Sequence, residues 1–146
     1  MKRILAFAFI LQLLLTSVCM AFEAPMDKRW FWLGSTDEMG CWVDMESMEY
    51  HIDDSYSHKG HKQVEVWTLF YNSTRDASSK ERSTYDLTCK KYKLNTIITY
   101  DKKGKILDSQ NINYLEFQSV APETWAEAIC EICKIAWEKD PRNDLR

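Results

Sequence analysis

Hydrophobic and polar residues alternate in short runs over most of the chain, which predicts β-strands. The aromatic and β-branched runs at residues 29–35 and 40–45 flank the turn-forming sequence STDEMG and predict a first pair of strands. Residues 63–72 carry large apolar side chains at both odd and even positions, as expected for a strand covered on both faces. Residues 46–62 are mostly polar and predict a surface loop.

A second group of strands is predicted after residue 82. Within residues 83–101 the apolar positions change parity near Lys90 and Lys91, which predicts a bulge or a break there. The sequence DKKG places Gly104 at a hairpin tip, where a positive φ favours glycine, and residues 105–110 return as the partner strand. The pattern therefore predicts five or six antiparallel strands joined by hairpins.

Only the end of the chain has a helical period. Pro122 suits the first turn of a helix, and no glycine or proline follows before Pro141. On a helical wheel the apolar residues form one face, which includes Cys130 and Cys133, whereas charged residues fall mainly on the opposite side. The predicted fold class is α+β, with a single antiparallel sheet of about six strands and a C-terminal helix packed across one face.

Residues 1–21 have the layout of a secretory signal peptide. Lys2 and Arg3 form a charged start, residues 4–15 form an apolar segment too short to span a bilayer comfortably, and the best cleavage site follows Ala21. One alternative is an uncleaved membrane anchor. Another is a lipoprotein acylated at Cys19, but this alternative is disfavoured because Val18 precedes the cysteine where a small residue is expected. The prediction is an exported protein that is secreted, periplasmic or located at the cell surface.

The remaining residues, 22–146, suit one compact domain, since no linker and no internal repeat divides them. The whole chain has a net charge of −3, and loss of Lys2 and Arg3 makes the mature domain more acidic. A nucleic-acid-binding protein would usually carry a basic excess or stripe, so this class is excluded. No second apolar segment predicts a transmembrane span after removal of the signal.

Four cysteines remain in the mature domain, and an even number in a small exported protein predicts structural disulfides with three alternative pairings. A redox role for the C-x-x-C pair is disfavoured because Cys130 lies about two turns inside the helix, beside Glu131. A Cys₄ zinc site is disfavoured by the oxidising compartment. A bridge from Cys89 to Cys130 would close a loop of about 40 residues and contribute roughly 4 kcal/mol, whereas a bond between Cys130 and Cys133 would constrain almost nothing.

Other candidate chemistry is weak. The segment HIDDSYSHKGH contains histidine and aspartate side chains, which can bind Zn²⁺ or Cu²⁺. Their spacing matches no metal motif, so we predict no metal and no cofactor. These residues are His51, Asp53, Asp54, His58 and His61. The chain contains no G-x-S-x-G elbow and no H-E-x-x-H motif, which predicts a non-catalytic protein.

The six tryptophans are more than a core of this size usually needs. Most of them are expected in the core, and one or two are expected to line a recognition surface, where tryptophan gives large contact area at low entropic cost. They are Trp30, Trp32, Trp42 and Trp67 on predicted strands, and Trp125 and Trp137 on the predicted helix.

The order of several segments resembles the surface-adhesin protein E family of bacterial exported proteins, over about residues 29–133. The segments are Trp30, CWVD, VEVWTLFYN, LTCKKYK, TIITYDKKGKIL and APETWAEAIC. The resemblance implies a sheet of about six strands whose concave face carries the C-terminal helix, held by a strand-to-helix disulfide between Cys89 and Cys130. Cys41 and Cys133 depart from the one-bridge pattern, and pairing logic predicts that they form a second bridge.

The resemblance also implies adhesion to host matrix or epithelial surfaces. The predicted function is therefore that of a non-catalytic exported binding protein with a protein partner. The alternative is a periplasmic accessory protein or an inhibitor of a secreted enzyme. An exposed strand edge would also permit a homodimer.

Overall fold

The computed structural model describes residues 25, 27–56, 59–112 and 116–140. These residues form one antiparallel sheet and one α-helix, so the predicted α+β class is confirmed. The predicted signal peptide at residues 1–21, with its cleavage site, lies outside the described residues. No helix within the described ranges is both long and apolar enough to cross a membrane.

The sheet contains eight strands. Six of them form a continuous path in the order β1-β2-β4-β5-β6-β7, while β3 pairs with β4 and β8 pairs with β6. The strands are β1 (Trp30–Ser35), β2 (Met39–Asp44), β3 (Glu49–Asp53), β4 (His61–Asn72), β5 (Ala77–Asp86), β6 (Lys91–Tyr100), β7 (Ile106–Asn111) and β8 (Gln118–Ser119), and the helix is α1 (Trp125–Lys139).

The predicted count of about six strands is wrong because β3 and β8 were not anticipated. β3 lies inside the segment predicted as a surface loop, which also contains the start of β4 and overlaps a 3-10 turn at Met45–Ser47. β4 is twelve residues long, so one half of it pairs with β2 and the other half with β3. β3 thus forms because β4 offers it unpaired backbone groups, although its own residues are mostly exposed.

The predicted break near Lys90 and Lys91 is confirmed, and it separates two strands. β5 ends at Asp86, a turn occupies residues 87–90, and β6 starts at Lys91. β6 also contains a bulge, because Arg82 faces Thr96 whereas Ser83 faces Leu94, which leaves Asn95 as the extra residue. The predicted hairpin tip is confirmed as well, with Gly104 at φ +75°.

Helix α1 covers one face of the sheet, as predicted. Its buried residues are Ile129, Cys130, Cys133 and Trp137, and they pack into one core with the sheet. The buried sheet residues of this core come from β2, β4 and β5, with alternate positions in β2 and β4, namely Cys41, Val43, Val64, Val66 and Tyr85. Burial of each large aliphatic side chain contributes about 1.5–3 kcal/mol, so this interface is the main source of stability.

The helix begins at Trp125, three residues later than the proline at residue 122 suggested. Thr124 is the N-cap, and its hydroxyl accepts a hydrogen bond from the backbone N–H of Glu127. The Glu127 carboxylate in turn accepts one from the backbone N–H of Glu123. These hydrogen bonds fix the position at which α1 begins.

The four cysteines among the described residues carry free thiols, so no disulfide tether is observed. Cys41, Cys130 and Cys133 are buried, and Cys89 is exposed. The bridges Cys89–Cys130 and Cys41–Cys133 therefore stay predictions.

Candidate interaction surface

All four tryptophans on strands lie on the same face of the sheet, opposite α1. Trp30 faces Asp44 and Trp32 faces Trp42 across the β1–β2 pair. Trp42 faces Leu69 of β4, which places Trp67, two residues earlier, on that side too. We call this the helix-free face, because no α-helix of the described chain packs on it.

Trp32 and Trp42 form a tilted ring pair over Gly40. Their ring centroids lie 4.5 Å apart with an interplanar angle of 58°. A Cβ atom on Gly40 would lie 2.9 Å from Cη2 of Trp42 and 3.1 Å from Cζ3 of Trp32, so only glycine leaves room for the pair. Trp42 is 7% exposed, whereas Trp32 remains 47% exposed at the edge of the sheet.

Beside this pair, a groove of about 360 Å³ runs across the helix-free face. Lys80 is one of its lining residues, with its Nζ 5.5 Å from the ring centroid of Trp30 and 5.9 Å from that of Tyr100. Both distances suit a cation–π contact. The groove is lined by Asp27, Arg29, Trp30, Asp44, Trp67, Lys80, Ile98 and Tyr100.

One wall of the groove is an ion pair. The Arg29 guanidinium donates two hydrogen bonds to the buried carboxylate of Asp44, one of them from Nε to Oδ1 at 3.0 Å. The hydrogen bond and the charge of Asp44 raise the pKa of Arg29. The groove therefore combines aromatic rings with fixed charges.

The other end of the helix-free face is polar. Arg82 forms ion pairs with Glu65 and, at 3.9 Å, with Glu49. Asn95, the extra residue of the β6 bulge, donates from Nδ2 to Oε2 of Glu65 at 2.8 Å and to the Thr84 hydroxyl at 2.7 Å. The bulge thus orders a charged network. We call this end of the face, with Glu65, Arg82 and Asn95, the polar half, and the end with the four tryptophans the aromatic half.

The histidine-rich segment runs along two paired strands, which place Asp53 opposite His61, but among the described residues its side chains do not form a three-ligand group by themselves. His51 and Asp53 lie on β3, His61 lies on β4, and His58 lies outside the described residues. Asp53 accepts hydrogen bonds from the Gln63 side chain and from the backbone N–H of Ser55. Asp54 follows β3 on the surface.

His61 instead meets Asp86, a residue that the sequence did not single out. The two side chains are 2.8 Å apart, from Nδ1 to Oδ2. The other carboxylate oxygen of Asp86 accepts the backbone N–H groups of Thr88 and Cys89 at 2.9 and 3.1 Å. Burial would raise the pKa of Asp86, but the hydrogen bonds from His61 and Cys89 lower it overall.

His61, Asp86 and Cys89 could offer three metal ligands, since their ligand atoms lie within 4.8 Å of one another. Burial and the hydrogen bond to Asp86 raise the pKa of the Cys89 thiol, so the thiolate that a metal prefers is disfavoured. Asp86 already accepts several hydrogen bonds here. The arrangement acts as a cap that fixes the turn between β5 and β6.

The thiols of the C-x-x-C sequence lie against the core. Burial raises the pKa of both Cys130 and Cys133, and nearby Glu131 adds to the effect at Cys130. Burial also raises the pKa of Cys41, to about 12. These thiols lack the lowered pKa of a reactive cysteine.

Two residues that shape the helix-free face were missed in the sequence. Gly40 was assigned to the end of the predicted turn and the start of the predicted strand, but no role was given to its missing side chain, although a glycine within a strand pattern signals close approach of other groups. Lys80 lies in a polar stretch without apolar alternation, so nothing local marked it as a neighbour of two aromatic rings.

Comparison of the chain with protein-family models, with curated proteins and with solved structures gives no match. The similarity to the surface-adhesin protein E family therefore stays a prediction from the sequence.

Proposed function

We propose that this chain is an exported, non-catalytic binding protein that recognises a protein partner through the aromatic half of its helix-free face. The observation that carries the proposal is the placement of Trp30, Trp32, Trp42 and Trp67 together on that face. A sheet that needed tryptophan only for its core would place these rings under α1. Instead, the tryptophans of the helix-side core come from α1 itself, and no strand tryptophan is part of that core among the described residues.

The chemistry of the aromatic half suits a protein surface. Tryptophan, tyrosine and arginine are the residue types that most often dominate the energetics of protein interfaces. The exposed ring of Trp32 offers an apolar anchor at low entropic cost, and its partner ring on Trp42 holds it in place. The groove next to it holds fixed charges of both signs, because Lys80 and Arg29 line it together with Asp27 and Asp44. These charges would select a partner by the arrangement of its charges and not by its net charge.

The proposed partner class is a host matrix or epithelial protein, in line with the resemblance to surface-adhesin protein E. A rigid scaffold would serve such a role, and we propose that the bridges Cys89–Cys130 and Cys41–Cys133 supply it. The ion pair between Lys90 and Glu131, at 3.7 Å, supports the first bridge. It joins the residues that directly follow the two cysteines.

The test uses the purified oxidised mature domain and a panel of purified host matrix proteins in a surface-binding assay. Trp32→Ala should weaken capture about tenfold or more, as expected for loss of an aromatic anchor. Phe31→Ala is the matched control, because Phe31 is 50% exposed on the same strand and faces the opposite side of the sheet. It should change capture less than about threefold.

Equal losses in the two variants would overturn the role of the helix-free face. Capture of no matrix protein, with specific binding of a purified envelope enzyme, would overturn the adhesin assignment and support the periplasmic alternative. Protease treatment of intact cells gives an independent readout, because a surface adhesin is expected to be accessible.

A further inference from the structure

A second cavity, of about 380 Å³, lies on the opposite side of the sheet, beneath the first turns of α1. Its volume is in the range of small-molecule sites. Most of its wall is aromatic or aliphatic: Phe70, Tyr85 and Tyr92 line it from the sheet, and Trp125 and Ile129 line it from the helix. The rings of Tyr85 and Tyr92 stack on each other with centroids 5.7 Å apart, and with Phe70 and Trp125 they form the aromatic wall of the cavity.

One carboxylate, that of Glu81, stands within this apolar wall. Glu81 faces Thr68 of β4 and shares the parity of Tyr85 in β5, which directs both side chains to the helix side. Ser79 donates to Oε1 of Glu81 at 3.3 Å. Among the ion pairs formed by the described residues, none includes Glu81. Burial raises the pKa of Glu81, which reflects a carboxylate without a compensating cation.

The charges around the cavity favour a positive ligand. Besides Glu81, the charged residues of the described chain that line it are Glu116 and Lys93. Lys93 pairs with Thr84, whose side chain lies on the helix-free face, and the Nζ of Lys93 lies 5.2 Å from the ring centroid of Phe117. Its positive charge therefore lies away from Glu81, and the two carboxylates make the cavity negative when they are ionised.

We propose that this cavity binds a small organic ammonium ion with an apolar body, whose cationic nitrogen pairs with Glu81 while its body packs against the aromatic wall. A carboxylate next to aromatic ring faces is the arrangement that recognises such cations. An anion would be repelled by Glu81, and a neutral apolar ligand would leave the carboxylate desolvated and unpaired. The site lies on the other side of the sheet from the proposed protein-binding face, so the two proposals stand or fall separately.

The test is an NMR titration of the ¹⁵N-labelled mature domain at neutral pH, with the indole N–H of Trp125 as reporter. The probe is phenethylammonium, and its matched controls are 2-phenylethanol, which is neutral, and 3-phenylpropionate, which is anionic. Phenethylammonium should shift the Trp125 signal and bind at least about tenfold more tightly than either control, as expected for a charge-assisted contact. Equal binding of the alcohol, or no binding of phenethylammonium at millimolar concentrations, would overturn the proposal.

Two variants locate the contact. Glu81→Gln keeps the shape of the side chain but removes its charge, and it should weaken phenethylammonium binding about tenfold. Glu116→Gln removes a carboxylate from the exposed rim and should weaken it less than about threefold, because exposed pairs contribute little. Equal effects of the two variants would show that the net charge of the region, and not the Glu81 contact, attracts the cation.

Discussion

The ring of Trp32 lies 4.5 Å from that of Trp42, centroid to centroid, directly over the missing side chain of Gly40. The glycine is needed here for space, since it is not among the residues with a positive φ. The aromatic half of the helix-free face thus depends on a residue without a side chain.

Gly40→Ala is expected to destabilise the protein by about 1–3 kcal/mol, because the added methyl group overlaps both indole rings. Equilibrium urea unfolding followed by far-UV circular dichroism measures this loss. Trp42→Phe supplies the control background, since phenylalanine lacks the ring atoms nearest to the added Cβ. In the Trp42→Phe protein, Gly40→Ala should lower the free energy of unfolding clearly less than it does in the parent protein. An unchanged cost would mean that the clash with Trp42 is not its cause.

Glu81→Gln is expected to stabilise the ligand-free protein by about 1 kcal/mol at pH 7, because it removes a desolvated charge from the cavity wall. The pKa of Glu81 is raised above its ordinary value of 4.5 in the folded protein. The ionised carboxylate therefore destabilises the fold above the raised pKa, and this cost disappears as the pH falls through it towards 4.5.

Urea unfolding of the parent and Glu81→Gln proteins from pH 7 to pH 4 measures this difference. The advantage of Glu81→Gln should shrink as the pH falls. Glu116→Gln is the matched control and should change stability by less than about 0.5 kcal/mol at either pH. A Glu81→Gln protein that is less stable than the parent at pH 7 would contradict the prediction.

Asp86→Asn is expected to destabilise the protein by about 1–3 kcal/mol at pH 7, since it weakens the contact with His61 and the charge-assisted cap of the turn. Asp86 is 1% exposed, and its pKa is lowered from the ordinary 3.8. Its contribution is fully present above pH 3.8 and is lost as the pH falls through the lower folded pKa.

The stability difference between the parent and Asp86→Asn proteins should therefore decrease as the pH falls below 3.8. Asp101→Asn is the comparison, because Asp101 also caps a turn and has a lowered pKa but lies at an exposed hairpin tip. It should have a smaller effect. A constant difference down to pH 2 would show that the Asp86 charge does not contribute.

The sequence could predict those elements whose own residues decide their structure. The apolar runs of β1, β2 and β4, the hairpin tip at Gly104 and the amphipathic α1 each carry a local signal, and each was anticipated. β3 and β8 were missed because their pairing is decided by free backbone groups on β4 and β6. Such a cause is not visible in the residues of the added strand.

The candidate sites were harder to predict because they depend on register between distant strands. Parity alone places Trp30 and Trp32 on one face of β1, but only the β1–β2 and β2–β4 registers bring Trp42 and Trp67 to that face. Similarly, Glu81 is a lining residue only because α1 covers its side of β5. The sequence could therefore predict that one or two tryptophans line a recognition surface, but it could not predict which face of the sheet carries that surface.

The predicted disulfides give the most direct test of the scaffold. Non-reducing peptide mapping of the protein purified without reductant should recover one link between Cys89 and Cys130 and another between Cys41 and Cys133. Cys89→Ser should then lower the free energy of unfolding by up to about 4 kcal/mol, because the first bridge closes a loop of about 40 residues. Adding a reductant to the parent protein should lower its free energy of unfolding by at least as much.

The control is the same substitution under reducing conditions. There, Cys89→Ser should lower the free energy of unfolding much less than it does under oxidising conditions. Reduction has already removed the loop closure there, and the serine hydroxyl can still donate to Asp86 in place of the thiol. Recovery of all four thiols unpaired, or of a link confined to Cys130 and Cys133, would contradict the tether. The position of α1 over the sheet would then depend on the buried core and the Lys90–Glu131 ion pair alone.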